Sequence, residues 1–403
     1  MYDDIKKEYL DHVKEILKHD YDRYIKALDE KETHGFILNK KKLAHSSVDV
    51  DYVLDMFKGK ILLEDEGYHY IVYDKDELTR CGIRLGRHPL HHAGLFYMQE
   101  PSAAKVVHEA HIEKSDVVLD LCASPGGKSI MSLCSIDKNE GGFLISNEVD
   151  YKRAKVLKSN IERMGFDNVI VTCNTPAELN YKFTNYFDKI IVDAPCSGEG
   201  MMRKSMEARR QWSKSLVSSM AATQKKLIDV AYNMLKKGGS IIYSTCTFSR
   251  EEDEEVVEYA LDRHNDLTLE KEEKLYPFNY PGEGQFYAVL HKAGEDIDRQ
   301  RMPTIDEMGD INVLQYKVDK CEDRHGIIIP THASTHVDDI HFDNVYELNE
   351  EEVYDYLHGD VIKSKIDIKN GYYKMTYKKL GLGLAKAVGN ILKNHYPKGL
   401  RNL

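Results

Sequence analysis

Two cysteines stand in small, polar stretches that directly follow apolar runs: Cys196 in Asp193-Ala194-Pro195-Cys196-Ser197-Gly198-Glu199-Gly200 and Cys246 in Tyr243-Ser244-Thr245-Cys246-Thr247-Phe248-Ser249. An accessible thiolate is a nucleophile, whereas a buried thiol is a core filler, the usual fate of a free cysteine. Upstream lies Asp120-Leu121-Cys122-Ala123-Ser124-Pro125-Gly126-Gly127-Lys128-Ser129, a glycine turn between an apolar run and a helical one. Its glycines let the backbone approach a ligand, and the free amides of a helix start suit an anionic group. Gly127-Lys128-Ser129 resembles the end of a phosphate-binding P-loop, but that spacing requires Gly where this chain has Cys122, and Pro125 removes an amide. About 20 residues past the glycines, Asn147-Glu148 closes the next apolar run, where nucleoside-binding sheets hold ribose hydroxyls with an acid. Glu148 could instead cap the helix that begins near Tyr151. Two thiols, the Asp193 carboxyl group and a nucleoside site suit one reaction. Carbon 5 of a pyrimidine is too weak a nucleophile to accept a methyl group unaided, but thiolate addition at carbon 6 pushes electron density onto it. A second group then helps dismantle the adduct, and a carboxyl bonded to the ring nitrogen favours the electron flow, especially if burial keeps it protonated.

The elements that must carry these loops read as an alternation. Strands are expected at 116–122, 142–149, 168–173, 189–193, 240–246 and 285–291, and helices at 128–135, 151–164, 218–235 and 251–264. Such alternation implies a parallel sheet with helices on both faces, and its ligands lie beyond the carboxyl ends of the strands. Before it, residues 1–31 show apolar positions at helical spacing and look structural, followed by strand signals at 35–38 and 68–73 around a helix at 52–58. After residue 292 comes an acidic stretch punctuated by Pro and Gly, then short strand signals at 326–329 and 372–377. The expected division is an N-terminal α+β domain at 1–92, a catalytic domain at 93–293, a linker at 294–310 and a C-terminal domain at 311–403.

Composition narrows the classes. The 403 residues carry 67 acidic and 56 basic side chains, for a net charge of −11, with 42% hydrophobic residues. That is an ordinary globular composition. No apolar run approaches the roughly 20 residues of a bilayer helix, and charges run through the first 18 residues, so neither a membrane span nor a secretory signal is expected. The seven cysteines include no Cys-x-x-Cys pair, which argues against a disulfide framework and a zinc site and for the reducing cytoplasm. An average of −11 points away from nucleic acid, but its distribution does not. Residues 371–403 hold seven basic and no acidic side chains, interleaved with Tyr372, Tyr373, Tyr377 and Tyr396, while acid is concentrated at 251–258 and after Gly294. Cations neutralise phosphates and rings stack on unpaired bases, so this segment is a candidate RNA surface, with a solvated surface over a tyrosine core as the alternative. Arg203-Lys204 and Arg209-Arg210, beside Trp212, form a second candidate grip.

These residues resemble the Sun-type RNA (cytosine-5)-methyltransferase family, in its bacterial RsmF-like branch acting on 16S ribosomal RNA. The resemblance rests on Leu121 to Lys128, Asp193 to Gly200 and Ser244 to Thr247. It extends to His88-Pro89-Leu90-His91-His92-Ala93-Gly94 with Gln99-Glu100-Pro101-Ser102, and to Gly383-Leu384-Ala385-Lys386 with Leu392-Lys393-Asn394-His395-Tyr396-Pro397. It implies a Rossmann-like S-adenosylmethionine-dependent methyltransferase domain, flanked by a small α+β N-terminal domain and a β-rich C-terminal RNA-binding unit. It further implies that Cys122, Ala123, Ser124, Pro125, Gly126, Gly127 and Lys128 hold S-adenosylmethionine with Glu148 on its ribose. Cys246 becomes the nucleophile and Cys196 the thiol that assists release, with Asp193 near both cofactor and cytosine. Where the family often has an acid beside the adenine this chain has Asn174, whose amide can still bond an adenine edge. The implied partner is ribosomal RNA, with no membrane and no metal; transfer RNA as substrate, or a non-catalytic ribosome-assembly factor, are the competing readings.

Overall fold

The computed structural model describes residues 5–296, 298–324 and 326–401. Residues 1–4, 297, 325 and 402–403, which include the outer ends of the expected N- and C-terminal units and Ile297 of the acidic stretch, lie outside the described residues. Four strands, β1 (His34–Asn39), β2 (Gly59–Glu64), β3 (Tyr68–Tyr73) and β4 (Phe96–Gln99), form an antiparallel sheet in the order β2-β3-β1-β4. Eight more follow: β5 (Val117–Asp120), β6 (Phe143–Asn147), β7 (Val169–Thr172), β8 (Phe187–Asp193), β9 (Leu235–Thr245), β10 (Leu267–Leu275), β11 (Gln285–Lys292) and β12 (Val313–Tyr316). They make one sheet in the order β10-β11-β9-β8-β5-β6-β7-β12. Its centre, β7 through β9, is parallel, and β11 and β12 run antiparallel to β9 and β7.

The central stretches of the parallel strands are mostly apolar because both faces are covered. Neighbouring residues enter opposite cores. Val118, Leu144, Ile191 and Ile242 join Ile130, Leu157 and Ile161 of the helices Gly127–Ser135 and Tyr151–Met164. Leu119, Ile145, Ile190 and Ile241 join Leu227, Ile228 and Val256 of the helices Lys214–Met234 and Glu254–Arg263. At roughly 1.5–3 kcal/mol for each fully buried aliphatic side chain, these two layers hold the sheet far more than the propensity of four-residue strands does. The expected doubly covered, mostly parallel sheet is therefore present.

The flanks depart from the residue ranges read in sequence. Phe96–Gln99, placed in the central unit by sequence, completes the first sheet by pairing Gly35 with Gln99 and Leu38 with Phe96. Val313–Tyr316, placed in the C-terminal unit, pairs with β7 as the outermost strand of the large sheet. In both cases the deciding partner lies far away in sequence, where local composition carries no signal. The acidic stretch contains a helix, Ile305–Met308, closed by a Thr304–Glu307 capping box, and Met308 enters the second core. β13 (Cys321–Arg324) and β14 (Ile327–Pro330) form a hairpin. The last sheet has β15 (Val345–Glu347), β16 (Ile362–Lys363), β17 (Gly371–Tyr377), β18 (Leu380–Val388) and β19 (Ile391–Asn394) in the order β15-β17-β18-β19-β16. One core joins this sheet to the first, with Phe36, Leu38 and Phe96 beside Tyr356, Met375 and Leu382. The helices Lys7–Leu17 and Tyr21–Leu28 pack instead on Trp212 and Phe248, behind the large sheet's loop edge.

Candidate active site

The order of the large sheet reverses direction at β5 and β8, so their following loops diverge and open a crevice. The 122–128 loop fills one wall. Gly126 sits at φ +116°, a left-handed conformation that side chains resist, and a Cβ there would meet Leu157 at 3.0 Å. A Cβ on Gly127 would overlap the Gln99 carboxamide, which therefore lies directly against the loop. Asn147, at the end of β6, ties the neighbouring strand ends together. Its Nδ2 donates to Leu121 O at 3.1 Å and Asn174 O at 3.0 Å, and its Oδ1 accepts from Thr172 Oγ1 at 2.9 Å and Asn174 N at 3.1 Å. Below the loop, burial pushes the Asp120 carboxyl up to about 7. One of its oxygens accepts from Ser129 Oγ at 2.7 Å, and the other has no hydrogen-bond partner among the described residues.

Glu148 is buried, accepts from Asp150 N at 3.0 Å and lies 3.3 Å from Arg153 Nη2. The cap of the following helix is Asp150, which accepts from Arg153 N at 2.9 Å. Glu148 is thus not that cap. Both ends of the Asn174 amide engage the Asn312 backbone, Nδ2 to its carbonyl at 3.2 Å and Oδ1 from its amide at 3.1 Å. In this arrangement Asn174 fastens the chain leading into β12.

On the opposite wall the ends of β8 and β9 run in register, Asp193 against Ser244. The Cys196 and Cys246 sulfurs lie 3.3 Å apart. That contact, with burial, pushes the Cys196 thiol well above its ordinary range. The two loops are stitched by Ser197 Oγ and Thr247 Oγ1 at 2.8 Å and by Gly200 N donating to Cys246 O at 2.9 Å. A Cβ on Gly200 would stand 2.7 Å from Gly284 O, so only glycine permits that approach. Asp193 bridges the two walls. Its Oδ2 lies 2.8 Å from Lys128 Nζ, and its Oδ1 accepts from Ser244 Oγ at 2.8 Å and Gln285 Nε2 at 3.3 Å. A cavity of about 210 Å³ runs between the walls, lined among others by Cys122, Ser124, Gly127, Lys128, Asp193 and Cys246.

Three surrounding groups were not singled out as site residues in the sequence. Gln99 and Gln285 line the same cavity from β4 and β11. Glu252, within what reads as an acidic surface run, is buried and accepts from Ser197 N at 3.0 Å and Gln224 Nε2 at 2.9 Å, and burial pushes its carboxyl up to about 7. Nothing in the sequence marked Glu252, which falls inside the helix expected at 251–264 among acidic neighbours, and acids are seldom buried.

The basic clusters resolve differently from their sequence reading. Arg203 forms a bidentate pair with Glu283, at 2.8 and 2.7 Å, and donates to Ala27 O, so it fastens the N-terminal helices rather than facing solvent. Arg209 donates to Met202 O at 2.6 Å and Arg203 O at 3.1 Å. Tyr373 and Tyr377 of the last sheet and Tyr396 just after it are buried in the core, which rules them out as stacking platforms in this conformation. Tyr372 is half-buried, and Tyr372, Lys386 and Lys393 stand side by side across β17, β18 and β19 with both lysines exposed. Among the described residues no group of three or more His, Cys, Asp or Glu could hold a metal ion, and no helix is long and apolar enough to cross a membrane.

The sheet order, the glycine loop after β5 and the crevice beyond the strand ends define a Rossmann-like methyltransferase fold with a small domain at either end. By fold the chain is similar to NSun6 from Pyrococcus horikoshii, solved with SFG, at a TM-score of 0.60 and 19% identity over 73% of this chain and 100% of that one. It is likewise similar to a methyltransferase homologue protein from Pyrococcus horikoshii, at a TM-score of 0.57 and 23% identity over 71% and 95%. Three family models match in order: the N-terminal domain of 16S rRNA methyltransferase RsmF over residues 5–101, 16S rRNA methyltransferase RsmB/F over 109–291, and the methyltransferase RsmF PUA domain over 343–402. The chain belongs to this RsmB/F methyltransferase family, on the RsmF side. The ribosomal RNA small subunit methyltransferase F of Vibrio cholerae is 37% identical over 232 residues, 52% of this chain and 48% of that protein. The aligned part thus spans about half the length of that relative. The protein of the same name from Shewanella piezotolerans is 28% identical over 91% of this chain and 93% of its own.

Proposed function

We propose that this chain is an S-adenosylmethionine-dependent RNA methyltransferase that forms 5-methylcytosine, in 16S ribosomal RNA, through a covalent thiol adduct at carbon 6. The observation that carries the reading is the cavity that Cys246 shares with the 122–128 loop, with Asp193 between them and Cys196 at 3.3 Å. The cofactor fits this wall. The loop offers close backbone approach, and Asp120, which lines the cavity, has one carboxyl oxygen without a hydrogen-bond partner among the described residues, leaving acceptor capacity for a cationic ammonium group. Residues 122–128 would hold it, with Glu148 on the ribose and Asp193 at the boundary with the base; Asn174, engaged by Asn312, would contribute least. S-adenosylmethionine supplies, when bound, an electrophilic methyl group.

Cys246 adds to carbon 6 of cytosine, and Asp193 orients the ring at its nitrogen, itself fixed by Lys128 and Ser244. After methylation Cys196, as thiolate, takes the proton from carbon 5, the carbon 5–carbon 6 double bond re-forms, and the carbon 6–sulfur bond breaks to return Cys246 as thiolate. Cys246 is among the residues that line the cavity, whereas Cys196 is not and lies 3.3 Å from the Cys246 sulfur, which suits Cys246 to attack and Cys196 to release. The base must leave any stack to reach the thiols, at a cost of about a few kcal/mol that is least for unpaired bases. Tyr372, Lys386 and Lys393 would offset that cost by stacking and phosphate contact. Free thiols on this edge fit the reducing cytoplasm as the compartment. The division at residues 92, 293 and 310 belongs to this proposal as a functional one, with the pairing of 96–99 and 313–316 joining its units. Methyl transfer from labelled cofactor to purified small subunits, naked 16S RNA and transfer RNA, with nucleoside analysis of the product, tests it. Label in 5-methylcytosine of 16S RNA is expected; label only in transfer RNA, or in another base, contradicts it.

A further inference from the structure

Glu199 lies three residues beyond Cys196 and is fully buried. A buried carboxylate costs several kcal/mol of lost hydration unless donors surround it. Here four donors do, from three separate parts of the chain. Oε2 accepts from Phe248 N at 2.9 Å, and Oε1 accepts from Ser249 Oγ at 2.6 Å and Trp212 Nε1 at 2.9 Å, with His12 Nε2 3.2 Å away. Burial alone would raise this carboxyl, but hydrogen bonds from His12 and Ser249 outweigh it and hold it below the usual range. Next in sequence, Gly200 N donates to Cys246 O. The peptide after Cys246 is held from the other side as well. Lys274 Nζ donates to Phe248 O at 2.9 Å and lies 3.0 Å from Asp253 Oδ2, while Asp253 Oδ1 accepts from Thr245 Oγ1 at 2.6 Å.

We propose that Glu199 is a positioning residue for Cys246: through Phe248 and Ser249 it fixes the loop that sets this sulfur against Cys196. The assignment rests on the nucleophile reading given above. Its logic is one of acceptors. Every group facing Glu199 donates, so a side chain with two acceptor oxygens satisfies all of them, whereas an amide of the same shape presents an NH₂ to donors on one side. The N-terminal helix thereby reaches the site, because His12 completes the set from Lys7–Leu17.

The test compares wild type and Glu199→Gln in the full chain by two readouts. In steady-state methylation kcat is expected to fall by about 100-fold, the scale of a displacement on the order of 1 Å at a reacting group, with KM for RNA and cofactor affinity unchanged. Independently, the alkylation rate of Cys246 by iodoacetamide, followed by peptide mass spectrometry, is expected to change while that of the exposed Cys81, which follows the helix Lys75–Arg80, does not. Alkylation reads the sulfur's surroundings whatever base is methylated, so it separates failure of this assignment from failure of the cytosine reading. Should Glu199→Gln not fold, Ser249→Ala removes a single donor and is expected to move both readouts in the same direction by a smaller factor. Unchanged kcat and unchanged Cys246 alkylation in a folded variant overturn the proposal.

Discussion

The loop edge of the large sheet and the basic sheet at the C-terminus were both marked by residue types that do chemistry, and they came out differently. At the loop edge the singled-out residues converge: Cys122, Lys128, Asp193 and Cys246 line one cavity, with Cys196 touching Cys246. At the C-terminus three of the four tyrosines turn inward, while Tyr372 stays at the surface in a row with Lys386 and Lys393. The difference lies in what sets direction. A loop after a parallel strand leaves at one fixed edge, so knowing the strand ends is enough to gather its residues. In an antiparallel sheet with one buried face, direction depends on register, and a shift of one residue exchanges inside for outside.

Breaking the first region is expected to abolish chemistry and spare the fold. Cys246→Ala should lower methyl transfer by on the order of 10⁴-fold or more while cofactor binding, measured by calorimetry, persists. Cys196→Ala should instead accumulate a protein–RNA adduct visible on a denaturing gel, since the adduct forms but is not dismantled. An active Cys196→Ala enzyme with no adduct would remove the release role.

Acid should separate the regions by sign. Burial pulls His88 and His332, near the joint of the first and last sheets, down to about 4, and holds His91 and His336 well below the usual imidazole range. Between pH 6.5 and about 4 the unfolded chain therefore takes up protons at these sites that the native chain refuses, so the joint loses stability as pH falls. Asp120 and Glu252, raised to about 7 by burial, act oppositely and favour the native loop edge as pH falls below 7. Hydrogen exchange at pH 5.5 against 7.5, corrected for intrinsic rates, should show β18 losing protection while β5 and β9 keep theirs. Equal loss in both would contradict the assignment of these groups.

The smallest effect concerns the outer row. Tyr372→Ala with Lys386→Ala should weaken RNA binding by about 10-fold, at about 1–3 kcal/mol per stacked base, and flatten its salt dependence by one phosphate contact. Tyr377→Ala, from the buried set, should lower the unfolding temperature first. A reversed pattern would reinstate the buried tyrosines as the RNA surface.

Much of the central fold was legible, because its parallel strands are continuous apolar runs punctuated by glycine and acid. What escaped had a physical reason in each case. β10, Leu-Thr-Leu-Glu-Lys-Glu-Glu-Lys-Leu, is an edge strand with an unbroken charged run from Glu270 to Lys274, so it carries little apolar signal. β18 carries glycines at 381 and 383 because Thr335 and Tyr356 occupy the space of a side chain, and glycine reads as a turn. Arg203 looked like a free cation, and Glu199 like an ordinary member of a motif, because their partners, Glu283 and His12, lie 80 and 187 positions away in the chain. Spacing shows which residues share a loop; long-range pairing decides which of them meet.

The central claim is that Cys246, not Cys196, bonds to the base. It is tested most directly by incubating the protein and cofactor with 16S RNA containing 5-fluorocytidine, which blocks release at carbon 5, then digesting and mapping the modified peptide by mass spectrometry. The account predicts one nucleotide on Cys246 with Cys196 free. A nucleotide on Cys196, or methylated product without any thiol adduct, would contradict it.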